Sequence, residues 1–116
     1  MVKPLVPKTH DVAPVLLAAP AGATTALVAA AAGYQVWVTG LAASITATGA
    51  GMTITFKDSA GTALTGVMSY LAGTPIVWPQ GPIALPYLRT ATGLGLSVTT
   101  VNCTLNGTFS YFLVKP

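Results

Sequence analysis

Between Met52 and Lys57 apolar and polar side chains alternate. Met52, Ile54 and Phe56 fall on one face of an extended segment, and Thr53, Thr55 and Lys57 fall on the other. A period of two is that of a half-buried β-strand. Asp58-Ser-Ala-Gly61 follows, with Asp at the first position of a turn and Gly at the last, which predicts a reversal into a second strand. The same grammar recurs along the chain. Tyr34, Val36 and Val38 alternate with Gln35, Trp37 and Thr39, and Gly40 marks a bulge or bend before the strand continues from Leu41 to Ala47. Leu94, Leu96 and Val98 alternate with Gly95, Ser97 and Thr99. In the last strand Phe109, Tyr111 and Leu113 share a face while Phe112 and Val114 occupy the opposite one. A strand apolar on both faces is expected to lie centrally in its sheet or against a neighbouring subunit.

Weaker patterns fill the gaps. Val15–Ala19 and Thr24–Ala31 predict short strands joined by the turn Pro20-Ala-Gly, and Thr48-Gly-Ala-Gly51 predicts another turn. Thr62–Ala72 predicts a long strand that buries Leu64, Val67 or Met68, and Tyr70 or Leu71, with a register-shifting bulge at Gly66. Gly73–Pro86 carries Pro75, Pro79, Pro82 and Pro86 around Ile76-Val77-Trp78, the pattern of a short edge strand followed by an irregular loop. Leu88–Thr90 predicts a short strand, and Asn102–Gly107 a turn containing an Asn-Gly hairpin signal. Eight or nine strands with no helix predict an all-β antiparallel sandwich over residues 15–116, preceded by an extended arm over 1–14. Jelly roll is the expected topology. An immunoglobulin-like sandwich fits the same spacing, without its Cys…Trp…Cys pattern.

Composition changes this picture by what it leaves out. Two acids and five bases make 6% charged residues, against about 25% in an ordinary soluble domain. A surface of Ala, Gly, Thr and Ser favours burial against copies or partners, so the chain is expected to be an assembly component. The bases Lys3, Lys8, Lys57, Arg89 and Lys115 are scattered, and nucleic-acid binding is not expected. The uncharged run from Val12 to Ala32 reaches the length of a membrane span, but Pro14 and Pro20 interrupt it and its Ala and Thr are weakly apolar, so no span is expected. Lys3 before Val15–Ala19 outlines a signal peptide, yet Pro4, Pro7 and Pro14 break the helix such a leader needs.

Catalytic chemistry has few residues to use. His10 is the single histidine and sits in the Pro-rich arm, while Asp11 and Asp58, the two acids, sit in the arm and in a turn. Neither an activated nucleophile nor a carboxylate pair for sugar hydrolysis can be assembled plausibly from them. No enzyme, cofactor or metal site is expected. The lone Cys103 excludes an internal disulfide and is expected to be a small buried residue. Asn102-Cys-Thr104 and Asn106-Gly-Thr108 match the glycosylation sequon, a pattern that Asn/Thr-rich turns produce often.

The residues with surface work to do are then the arm, with Lys3, Pro4, Leu5, Val6, Pro7, Lys8 and His10, and the Pro-rich loop, with Trp78 and Tyr87 as rigid aromatic anchors. The alternative role for Trp78 is to plug one end of the sandwich. Phe56-Lys-Asp-Ser-Ala-Gly-Thr-Ala-Leu-Thr-Gly66, the Pro-rich loop, Thr90-Ala-Thr-Gly-Leu-Gly-Leu-Ser-Val98 and Gly107-Thr-Phe-Ser-Tyr111 together resemble the jelly-roll head decoration, or cement, proteins of tailed bacteriophages. The resemblance runs from Ala23 to Val114 and is one of pattern. It implies a virion protein on the capsid surface, a homotrimer bound to the major capsid protein, with the arm gripping the shell or a sister subunit and no catalytic residues. Two other roles fit the same residues: a tail-fibre or baseplate module that recognises a host glycan or protein, and a self-assembling coat domain.

Overall fold

The computed structural model describes residues 6–7, 15–69, 75–79, 81 and 85–116. They form β1 (Val6–Pro7), β2 (Val15–Ala19), β3 (Thr24–Val28), β4 (Gln35–Ala47), β5 (Thr53–Asp58), β6 (Met68–Ser69), β7 (Pro75–Trp78), β8 (Leu88–Arg89), β9 (Leu96–Val101) and β10 (Cys103–Lys115). Among the described residues there is no helix, and hence none long and apolar enough to cross a membrane.

Two antiparallel sheets result. The first has the order β2-β10-β4-β7, with β1 and β2 placed end to end along one side of β10, and β7 and β8 end to end along one side of β4. The second has the order β3-β9-β5-β6. Apart from β5 to β6 and β7 to β8, each step from β2 to β10 changes sheet. With β7 and β8 taken as one interrupted strand, this is the eight-stranded double Greek key of a jelly roll. β10 lies centrally, between β2 and β4, and its outward-facing Phe112 and Val114 are buried together with Trp37.

The inward face of each strand supplies the core. Leu17, Val36, Val38, Leu41, Ile45, Ile54, Phe56, Leu96, Val98, Cys103, Leu105 and Phe109 are all buried in one cluster. A one-residue slip would turn a strand's apolar set outward. The shift is absorbed in β4: Gly40 pairs with Ser110 and Val38 with Tyr111, which leaves Thr39 as an extra residue. Val36 and Val38 therefore face inward before the bulge and Leu41, Ala43 and Ile45 after it. On the outer face, Trp37, Phe112 and Val114 form a second buried apolar cluster.

Several expectations are corrected. Asn102–Gly107 is not a turn. Asn102 alone reverses the chain, with φ at 57°, and its carbonyl accepts the Thr48 and Gly49 amides. Asn106-Gly107 lies inside β10, paired with Ala18 and Leu17 on one side and Ser44 and Ala43 on the other, so two ladders outweigh the local turn signal. Gly107 is there because the β4 backbone comes close. A Cβ at this position would stand 2.0 Å from the Ala42 carbonyl oxygen.

The long strand over Thr62–Ala72 is also not formed as expected. Lys57 bridges to Ala63, and the Thr65 hydroxyl accepts the Phe56 amide, taking up a donor that a paired strand would use. Pairing resumes only at Met68–Ser69; Leu64 and Met68 pack against the core while Val67 is 70% exposed, and Tyr70 and Leu71 lie outside the described residues. In the other direction, Val6–Pro7 was expected to form no core strand, yet its backbone pairs with Lys115 and Val114 of β10. Proline, which lacks a ladder donor, suits that outermost position.

Candidate partner-binding site

The bulge in β4 also positions the Pro-rich loop. β7 pairs with Leu41–Ser44 on one side of the bulge and β8 with Trp37–Val38 on the other, so the chain between them leaves the ladder opposite Thr39 and Gly40. The freed carbonyls are used by the loop itself: Thr39 accepts the Gly81 amide at 2.9 Å, and Val38 accepts the Tyr87 amide at 2.8 Å.

Trp78 and Tyr87 are brought together there. Trp78 is partly buried, its ring 5.4 Å from that of the core residue Phe56 and tilted by 49°. Tyr87 stacks on the Trp78 ring at 5.4 Å and 24°. The Tyr87 hydroxyl donates to the Pro79 carbonyl at 2.8 Å, and the side chain remains 45% exposed. Trp78, the last residue of β7, packs against the core, and Tyr87 is the more exposed member of the stacked pair. Offset stacking of this kind holds an aromatic side chain in a single orientation.

Leu85 and Arg89, which no pattern in the sequence singles out, belong to the same surface. Leu85 is 73% exposed, and Arg89 is exposed with its guanidinium carbon 5.4 Å from the centre of the Trp37 ring, a cation–π contact. Leu85, Pro86, Tyr87 and Arg89 line an open depression of about 460 Å³. Leu85, Tyr87 and Arg89 alternate along the chain, with Leu88 turned into the core between the last two.

The arm is placed only in part. Val6 and Pro7 lie beside the end of β10, and Lys3, Pro4, Leu5, Lys8 and His10 lie outside the described residues. Asp58 is where a turn former belongs, but it does not solvate the turn tip as a surface acid would. It is buried, with Oδ1 accepting the amides of Ala60 and Thr62 at 2.9 Å each. Cys103 is fully buried, and its thiol donates to the Thr53 carbonyl. Burial raises its pKa above the ordinary 9.0, opposed in part by a backbone hydrogen bond at Val101. Among the described residues, no three His, Cys, Asp or Glu side chains come together as metal ligands.

Beyond the bulge the outer face of the first sheet is uncharged. Ala18, Asn106, Ser44 and Pro75 are exposed cross-strand neighbours in one row, and Ala42, Val77 and the half-buried Thr108 belong to the next. A scan against protein-family models and searches of curated proteins and of solved structures found no match.

Proposed function

We propose that the chain is a structural virion component: a decoration protein that binds the outside of a phage head as a homotrimer and stabilises contacts of the major capsid protein. The observation that carries this reading is the outer face of the first sheet beyond the β4 bulge, an area of Ala, Ser, Thr, Asn, Pro and Val side chains without a charge. Small uncharged side chains on a rigid β-scaffold lose little conformational entropy when covered and leave no buried charge unpaired. Interfaces of about 800 Å² per partner are the usual size for specific association. Repetition over a shell would then sum weak contacts by avidity. The jelly-roll topology and the sequence resemblance support the same reading.

Its test is reconstitution. Purified protein is mixed with heads assembled without it, and bound copies are counted. The reading requires saturable binding at a fixed ratio to the capsid protein and a rise in the temperature at which heads release DNA. Failure to bind heads, together with specific retention on a glycan array, would instead favour a tail-tip recognition module.

A further inference from the structure

We infer that the ridge Leu85–Tyr87–Arg89 is a preformed docking site for an acidic-apolar segment of a partner protein, the carboxylate facing Arg89 and the apolar side chain lying over Tyr87 and Leu85. The inference rests on the decoration reading only for where the partner sits; the site itself is argued from its chemistry.

The three residues alternate in the chain, are all exposed, and flank one open depression. Arg and Tyr are residue types enriched in binding hot spots: Tyr covers much area with two rotatable bonds, and the Arg guanidinium presents a rigid planar fork. Here both are already ordered. Tyr87 is held by the Trp78 ring, by its hydroxyl bond to Pro79 and by its amide bond to Val38. Arg89 is held by its backbone pairing with Trp37 and by the ring beneath its guanidinium. Ordering in the free state removes a cost that association otherwise carries.

Charge identifies the occupant. Among the described residues the only acid is Asp58, and its Oδ1 is engaged by two backbone amides. Arg89 thus has no carboxylate partner among the described residues, while its planar fork fits a carboxylate in two-point fashion. The chain carries a net charge of +3, which favours approach of an acidic surface. Leu85, an exposed branched apolar residue, adds the apolar half of the pair. On an extended segment, side chains two residues apart on the same face are about 7 Å apart, so the matching partner motif is an acid two positions from an apolar residue.

The experiment is an NMR titration of the intact, isotope-labelled chain with seven-residue peptides that contain Glu-x-Leu, with the same peptides bearing Gln in place of Glu, and with a sialylated trisaccharide. The expected result is a set of amide shifts confined to residues 85–90 and Trp37 with the Glu peptide, and binding at least five-fold weaker with the Gln peptide. Arg89→Ala should abolish the response and Arg89→Lys should weaken it, while thermal unfolding of the lysine variant stays near that of the parent. Equal binding of Glu and Gln peptides, shifts elsewhere, or a response to the trisaccharide alone overturns the inference. Head binding that survives Arg89→Ala, with no peptide response, would remove this site and leave the decoration reading standing. A peptide response without head binding would do the reverse.

Discussion

The rings of Trp78 and Tyr87 are stacked 5.4 Å apart and 24° from parallel, with Trp78 against the core residue Phe56 and Tyr87 facing solvent. One side chain is therefore a structural support for the other. Trp78→Ala should destabilise the fold by about 3 kcal/mol, since it removes a large ring from a packed contact. Tyr87→Ala should cost only about 1 kcal/mol and act mainly on partner binding. Chemical denaturation of both variants checks this; equal losses would show that the two rings do not divide support and recognition in this way.

Asp58 is the second residue whose role is read from its bonds. Its carboxylate holds the Ala60 and Thr62 amides, and the Asp58 amide donates to the Thr62 carbonyl at 2.9 Å. Asp58→Ala leaves two turn amides without that acceptor and should cost about 2 kcal/mol, with Asp58→Asn retaining part of it. Urea unfolding midpoints measure the difference.

Gly107 should tolerate no side chain. The clash that a Cβ would make with the Ala42 carbonyl and the Ala43 Cα involves backbone on the neighbouring strand, which cannot rotate away. Gly107→Ala should cost about 3 kcal/mol or more, or prevent folding outright. A thermal midpoint close to the parent's would contradict the pairing of β10 with β4 at this position.

Cys103 makes stability depend on alkaline pH. Its thiol pKa is raised in the folded state, chiefly by burial, so folding favours the protonated form. That contribution is fully present below the unfolded value, near the ordinary 9.0, and is lost as pH rises through it toward the raised folded value. Unfolding free energy measured from pH 7.5 upward should fall more steeply for the parent than for Cys103→Ala. Parallel pH profiles would refute it.

How far the sequence announces this structure depends on which forces decide each element. Alternation identifies β4, β5, β9 and β10 because their inward side chains meet one common core, and the bulge beside Gly40 is legible from a glycine interrupting that alternation. The Asn106-Gly107 signal misleads because turn propensity is a local preference, whereas two neighbouring strands bind this segment on both sides. Val6–Pro7 joins a sheet that no local pattern marks, by pairing with Lys115 and Val114 of β10. At the candidate site, Trp78 and Tyr87 are visible as aromatics among prolines. Arg89 is not, because its significance comes from Trp37, which is brought beneath it by the pairing of β8 with β4.

The arm provides a further test of the decoration reading. Deleting residues 1–11 removes β1 and its two cross-strand pairs with β10, one of them to Val114 of the outer cluster, while Leu17 to Phe109 of the main cluster all remain in the chain. The truncated chain should stay folded and occupy heads less fully than the parent. Unchanged occupancy would assign the grip to the sandwich alone.

The most direct measurement is electron cryomicroscopy of particles assembled with the protein and without it. The account predicts additional density on the outside of the head, with three copies of a jelly roll around symmetry-related sites and the uncharged part of the first sheet's outer face, beyond the β4 bulge, covered by a neighbour. Density at the tail tip, or none on the head at saturating protein, would contradict it.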